Sequence, residues 1–304
     1  MFFNKYSLLI GAIFLSFFAQ AQTLNDGIMM PKKAFCGGVM FMQDQFTNYW
    51  EGTTKRDNAN MGKMTIQAVG IMANYGITDQ LNVIGSLPYV KTQASAGQMA
   101  GWSGIQDLTL ALKYNILKIK DLDAIAVVGG SLPMSDYIAA HPFAIGTQSK
   151  MLFGRAMFHW LTEKGWTATA QGTYTLRSNI KIDGTNYYTD KNVNSNEVAI
   201  SDTWQIGARA GYYSYRWALE GTFESGKTLG GFDIRRNDAM FPAANRQEAT
   251  RLGVMASYRI KPLHDIQIVA SAAYTISGRN VGQATSMAIG IMKAFGFNKT
   301  ENTH

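Results

Sequence analysis

Apolar and polar residues alternate with a period of two along much of the chain. Trp204, Ile206, Ala208, Ala210 and Tyr212 alternate with Thr203, Gln205, Gly207, Arg209 and Gly211. After Tyr213-Ser214-Tyr215, Trp217, Leu219, Gly221 and Phe223 alternate with Arg216, Glu220 and Glu224. Successive strand side chains point to opposite faces, so this stretch predicts a hairpin with one apolar and one polar face. A soluble sheet would turn the apolar face to a core. An outer-membrane barrel would turn it to lipid and leave the polar face to the lumen. The rest of the chain must separate the two.

The same reading predicts twelve strands, near 34–44, 63–75, 81–91, 104–115, 122–133, 150–161, 165–177, 199–212, 215–225, 248–260, 265–276 and 284–297. Short connectors fall at 76–80, 116–121, 162–164, 213–214 and 261–264. Long ones fall at 45–62, 92–103, 134–149, 178–198 and 226–247. Short and long connectors alternate, as periplasmic turns and extracellular loops do in outer-membrane barrels, whereas a soluble sandwich has no reason for that rhythm. Tyr75, Tyr114, Trp160, Trp166, Tyr212, Tyr213, Tyr215, Trp217 and Tyr258 cluster beside the short turns. Tyr89, Tyr174, Phe223 and Tyr274 lie near the opposite ends. Two bands of amphipathic rings suit the two interfaces of a bilayer. The expected fold class is therefore all-β: a transmembrane antiparallel β-barrel with short periplasmic turns and long extracellular loops.

The N-terminus supports export. Lys5 precedes an apolar run, Leu8–Phe18, and Ala19-Gln20-Ala21 offers a small-x-small cleavage site. That run is too short to cross a bilayer as a helix, which takes about 20 apolar residues. The expected organisation is a signal peptide (1–21), a short N-terminal segment (22–33), the barrel (34–297) and a polar tail (298–304). The short segment is too small for a plug domain but could lie in the lumen. The expected location is the outer membrane of a Gram-negative cell, with lipid and a small-molecule solute as partners.

Charge and composition narrow the rest. The chain has 28 basic and 21 acidic residues, a formal charge of +7, scattered without a basic run, which argues against nucleic acid. The single cysteine, Cys36, cannot form an intramolecular disulfide and is expected to pack in the first strand. No metal-ligand spacing, phosphate-binding glycine loop or cofactor motif is present.

With the apolar face on lipid, the expected lumen residues are Asp107, Lys113, Arg155, His159, Arg209, Arg216, Glu220, Glu224, Arg251 and Arg259. Each Arg or Lys placed on lipid at the midplane would cost about 2–4 kcal/mol. Two readings of this charged interior stay open: Arg–Glu pairs and threonines that fill and stiffen a narrow barrel, or rows that guide an anionic solute. Tyr49, Trp50, Arg56, Arg235 and Arg236 in two long loops are candidates for the mouth. A hydrolase using His159 or His141 and a structural or adhesive barrel with a closed lumen are the alternatives; no serine sits beside a histidine in a nucleophile arrangement.

Two stretches resemble a known family. Tyr75-Gly-Ile-Thr-Asp-Gln-Leu-Asn-Val-Ile-Gly-Ser-Leu-Pro-Tyr-Val90 and Gly104-Ile-Gln-Asp-Leu-Thr-Leu-Ala-Leu-Lys-Tyr-Asn115 are similar to the strand–turn–strand and the next strand of the phenol-degradation MetA-pathway-like outer-membrane transporters. The loop with Tyr49–Gly52 and Arg56–Asn58 is similar to Bacteroidetes members. The clear match covers about 49–115, with Gln106 where the family more often has glycine. The resemblance implies passive passage of small solutes, including hydrophobic or aromatic compounds. It carries over no binding residue.

Overall fold

The computed structural model describes residues 24–296 except 60, 98–99, 140, 142, 190, 234–243 and 262–265. The expected leader and tail, Arg235, Arg236 and His264 lie outside the described residues.

Twelve antiparallel strands form the wall: β1 (Phe35–Phe46), β2 (Met64–Gly76), β3 (Leu81–Ala94), β4 (Asp107–Ile119), β5 (Leu122–Pro133), β6 (Met151–Leu161), β7 (Trp166–Arg177), β8 (Thr203–Tyr213), β9 (Trp217–Thr228), β10 (Glu248–Ile260), β11 (Ile266–Arg279) and β12 (Thr285–Phe295). Each pairs with its sequence neighbours, and β1 closes the ring on β12 from Phe35↔Phe295 to Gln45↔Thr285. Closure leaves no unpaired strand edge, the condition for strands to survive in hydrocarbon.

The outer face is apolar. Val39, Ile71, Leu110, Leu112, Val128, Leu152, Phe158, Leu219, Val254, Ile289 and Ile291 are all exposed. In water such a belt would aggregate; in a bilayer it is the solvated surface. Rings flank it. At the short-turn end Trp166 meets Tyr212 edge-on at 5.4 Å, Tyr212 meets Trp217 at 5.4 Å, and Phe35 meets Phe295 across the closure at 6.2 Å. The short turns are capped by their own side chains. Trp217 N donates to Ser214 Oγ (3.0 Å), and Leu81 N donates to Thr78 Oγ1 (3.0 Å).

One expected strand residue is misplaced. Arg216 belongs to the turn before Trp217, where its carbonyl accepts from Arg259 N (2.8 Å). It is not part of β9, because the strand starts at Trp217, two residues later than expected.

Candidate functional site

The lumen has two unlike walls. β6 to β10 supply the polar one. Arg155, His159, Thr169, Thr173, Arg209, Glu220, Glu224, Arg251 and Arg259 fall on the inward register of these strands. Glu220 is 1 % exposed and lies 3.6 Å from Arg209. Thr169 Oγ1 and His159 Nδ1 are hydrogen-bonded at 2.8 Å, with the His159 ring buried. Arg259 is buried and stacks over Tyr215 at 5.4 Å.

The opposite wall, from β1, β2, β3, β11 and β12, carries many apolar residues on its inner face too, among the polar Asp44, Ser86, Gln267, Ser271 and Ser286. Met40, Met42, Met72, Ile84, Pro88, Val269, Ala273 and Met292 line the lumen there. This wall escaped the sequence reading, which took apolar residues to mark lipid. The signal was present: Gly37-Gly-Val-Met-Phe-Met42 and Met287-Ala-Ile-Gly-Ile-Met292 are apolar on both parities.

The N-terminal segment, Leu24–Ala34, lies inside the barrel. It enters beside the short turn that follows β2, where Lys33 N donates to Gly76 O (2.7 Å). Gly76 must be glycine, since a Cβ there would stand 2.0 Å from Pro31 O. Met30 is fully buried among Cys36, Met72, Val269 and Met292. The Asn82 carboxamide, turned to satisfy both groups, accepts from Met30 N (2.6 Å) and donates to Met30 O (3.1 Å).

Further along, the segment crosses towards β4 and the polar wall and uses a cation from each. Lys113 is 0 % exposed, and its Nζ donates to Asp26 O (2.7 Å), Ile28 O (2.7 Å) and Asp26 Oδ1 (3.2 Å). Arg155 donates to Leu24 O and Asn25 Oδ1, both at 2.6 Å, and to Thr173 Oγ1 at 2.7 Å. A Cβ on Gly27 would lie 1.9 Å from His159 Cγ, so the chain passes this ring only as glycine. A lysine with three acceptors is satisfied in a way that offsets its desolvation. Two of the expected solute guides, Lys113 and Arg155, therefore hold the protein's own backbone.

What the segment leaves open is a cavity of about 550 Å³. Leu24, Asn25 and Asp26 line one side, the methionine wall another, and Arg209, Tyr213, Glu224 and Arg251 a third. A smaller cavity of about 270 Å³ adjoins it, lined by Arg177, Gln205, Glu224, Glu248 and Arg251.

Trp50 is buried in a small hairpin, Asn48–Glu51 with Thr54–Asp57, where Trp50 N donates to Val281 O (2.9 Å) and Tyr49 bridges Gly282. Arg56 pairs with Glu51 at 3.4 Å. This hairpin is fastened to the rim between β11 and β12. The residues that turn inward are in 134–149: Tyr137, Phe143 and Ile145 are buried, with Val90 and Trp102 against the cluster. Thr92 Oγ1 donates to Phe143 O (2.6 Å), and the Tyr137 hydroxyl donates to Asp107 Oδ1 (3.2 Å). Burial pushes the Tyr137 phenol up to about 12. Asp107 thus sits beneath a loop, at the start of β4. His141 has Trp102 and Phe143 on either side, and its Nδ1 accepts from Phe143 N (3.1 Å).

A second knot ties the rim. Arg279 donates to Asp233 at 2.6 and 2.7 Å, and Asn280 donates to Asp233 (2.8 Å) and to Arg246 O (2.6 Å). Arg279 holds the Asp233 carboxyl down at about 2. Among the described residues no three His, Cys, Asp or Glu side chains converge on a point that could hold a metal ion.

Comparison with solved structures agrees with this architecture. The COG4313 outer membrane channel from Pseudomonas putida F1 superimposes with a TM-score of 0.72 at 16% identity, covering 90% of this chain and 100% of that one. The translocator domain of the autotransporter NalP from Neisseria meningitidis gives 0.50 at 11% identity, covering 96% and 94%. At these identities the likeness is one of fold. No curated protein matches the sequence. The closed barrel with its apolar outer belt places the protein in the outer membrane, and the profile of the family described as "Putative MetA-pathway of phenol degradation" matches residues 57–289, so the chain belongs to that family.

Proposed function

We propose that this protein is a passive outer-membrane channel for small apolar solutes, with the Leu24–Ala34 segment narrowing its lumen. The observation that carries the reading is the 550 Å³ luminal cavity with a methionine and aliphatic wall. A barrel that needed only to be filled would close such a space with side chains. A water-filled pore would line it with polar groups. Methionine is unbranched and polarisable, so a wall of it adapts to varied apolar shapes. The match to the channel from Pseudomonas putida F1 supports the same reading at the level of fold.

The segment sets the width. It is held by hydrogen bonds from Lys113 and Arg155 and by the burial of Met30, and it covers part of the charged wall. Passage then runs between the segment and the methionine wall. The function needs no covalent chemistry.

The test is entry of toluene into Gram-negative cells with and without the protein, read by a cytoplasmic reporter. Expression should speed entry, and Met72→Gln with Met40→Gln should remove most of the gain while heat-modifiable migration of the folded barrel stays unchanged. Equal entry with and without the protein would refute the channel.

A further inference from the structure

The large cavity is apolar on one side only, and its charged side has an unfilled position. Several charges on that side have an identifiable partner. Asp26 is held by Lys113 and Glu220 by Arg209. Arg155 gives its Nε to Thr173 and its Nη1 to Leu24 and Asn25. Glu224 lies opposite Arg251 in the strand register but also within electrostatic reach of Arg155, and Asp44 stands on β1 across the cavity. The Arg251 Nε is buried and has no hydrogen-bond partner among the described residues; the Arg177 Nε shares that state, but only Arg251 also lines the larger cavity. A buried donor without an acceptor is costly, and a guanidinium presents its donors as a fork matched to a two-oxygen anion.

Position adds a second argument. Arg251 lines both cavities, so it stands where the smaller, polar one meets the larger, apolar one. A molecule seated there can keep its head at Arg251 and lay its body over Met72, Met255 and Val269.

Building on the channel reading, we propose that the preferred solute is an amphiphilic monocarboxylate: an apolar body on the methionine wall and a carboxylate on the Arg251 fork. A neutral hydrocarbon would fill the same wall but leave the Arg251 donor unmet. Selectivity for the acid over its neutral counterpart is therefore written into one side chain, while affinity for the body is spread over the opposite wall.

The experiment compares octanoate with 1-octanol, by calorimetry, on the full protein in nanodiscs with empty nanodiscs subtracted. Octanoate should bind at least tenfold more tightly. Arg251→Gln should erase that ratio and leave octanol binding where it was; Arg251→Lys, which keeps the charge and loses the fork, should give an intermediate ratio and guards against a folding defect in the first variant. Met72→Gln should weaken both ligands. Equal binding of the two ligands to the unmodified protein, or octanoate binding unchanged in both Arg251 variants, would overturn the head-group assignment and leave the channel for apolar solutes standing. Binding of neither ligand, together with no gain in toluene entry, would overturn both.

Discussion

The two walls of the lumen are built on opposite principles. On the polar wall side chains answer one another in pairs: Glu220 with Arg209, His159 with Thr169, Arg155 with Thr173 and the N-terminal segment, with the Arg251 Nε left over. Such contacts are directional, so geometry matters and substitutions leave stranded partners. On the methionine wall the contacts are dispersive and adaptable, and volume matters more than shape. The N-terminal segment uses both kinds at once. Met30 sits in the apolar wall while Asp26 and the carbonyls of Leu24 and Ile28 face the cations. One side fixes the place of the segment and the other leaves room for a solute.

The sharpest way to break this contrast is Lys113→Met. Removing one partner of a buried pair costs about 3–5 kcal/mol, because the other charge is left buried. The segment should then leave its berth: Ile28→Cys, protected from a maleimide otherwise, should become reactive, and single-channel conductance should rise. Adding Asp26→Asn should recover part of the protection. Gly27→Val should release the segment in the same assay by collision with His159, without touching any charge.

Next comes the apolar wall. Met292 is 2 % exposed beside Met30. Met292→Ala should lower unfolding stability in urea by about 2 kcal/mol or more, whereas Met292→Leu should cost under about 1.5 kcal/mol. On the polar wall Thr169→Val keeps the volume and strands His159 Nδ1, at a cost of about 1–3 kcal/mol despite the isosteric change. If Thr169→Val proved no costlier than Met292→Leu, the contrast between the walls would not hold.

The smallest effect lies outside the lumen. Asp233 is held at about 2, below its ordinary 3.8, by Arg279. A carboxylate depressed on folding contributes stability that is complete above about pH 4 and is lost as the pH falls through about 2. Hydrogen exchange at Asn280 to Gln283 should therefore accelerate over that window, and Asp233→Asn should exchange fast at every pH. The pair is partly exposed, so the acceleration should be modest.

Legibility followed the same division. Where inner residues are polar, alternation showed both strand and face: β8, β9 and β10 read correctly from Trp204 to Arg259, apart from Arg216 at a turn. Where inner residues are Met, Val and Ala, period two still marked a strand but not its faces. The mouth was harder still. Tyr137, Phe143 and Ile145 are spaced without period, and nothing local separates an inward loop from an exposed one.

The sequence by itself determined the barrel. Strand number, the short–long rhythm of connectors, the aromatic bands and the outward row of apolar residues are local or periodic properties, and lipid admits few alternatives for such a chain. Only the tertiary structure decided what occupies the lumen. That depends on pairs far apart in the chain: Asp26 with Lys113, Leu24 with Arg155, Gly27 with His159, Met30 with Met292. No period links such partners. Ring closure brings them together, and only then does a charge that looked free prove to be taken and the one at Arg251 stand out.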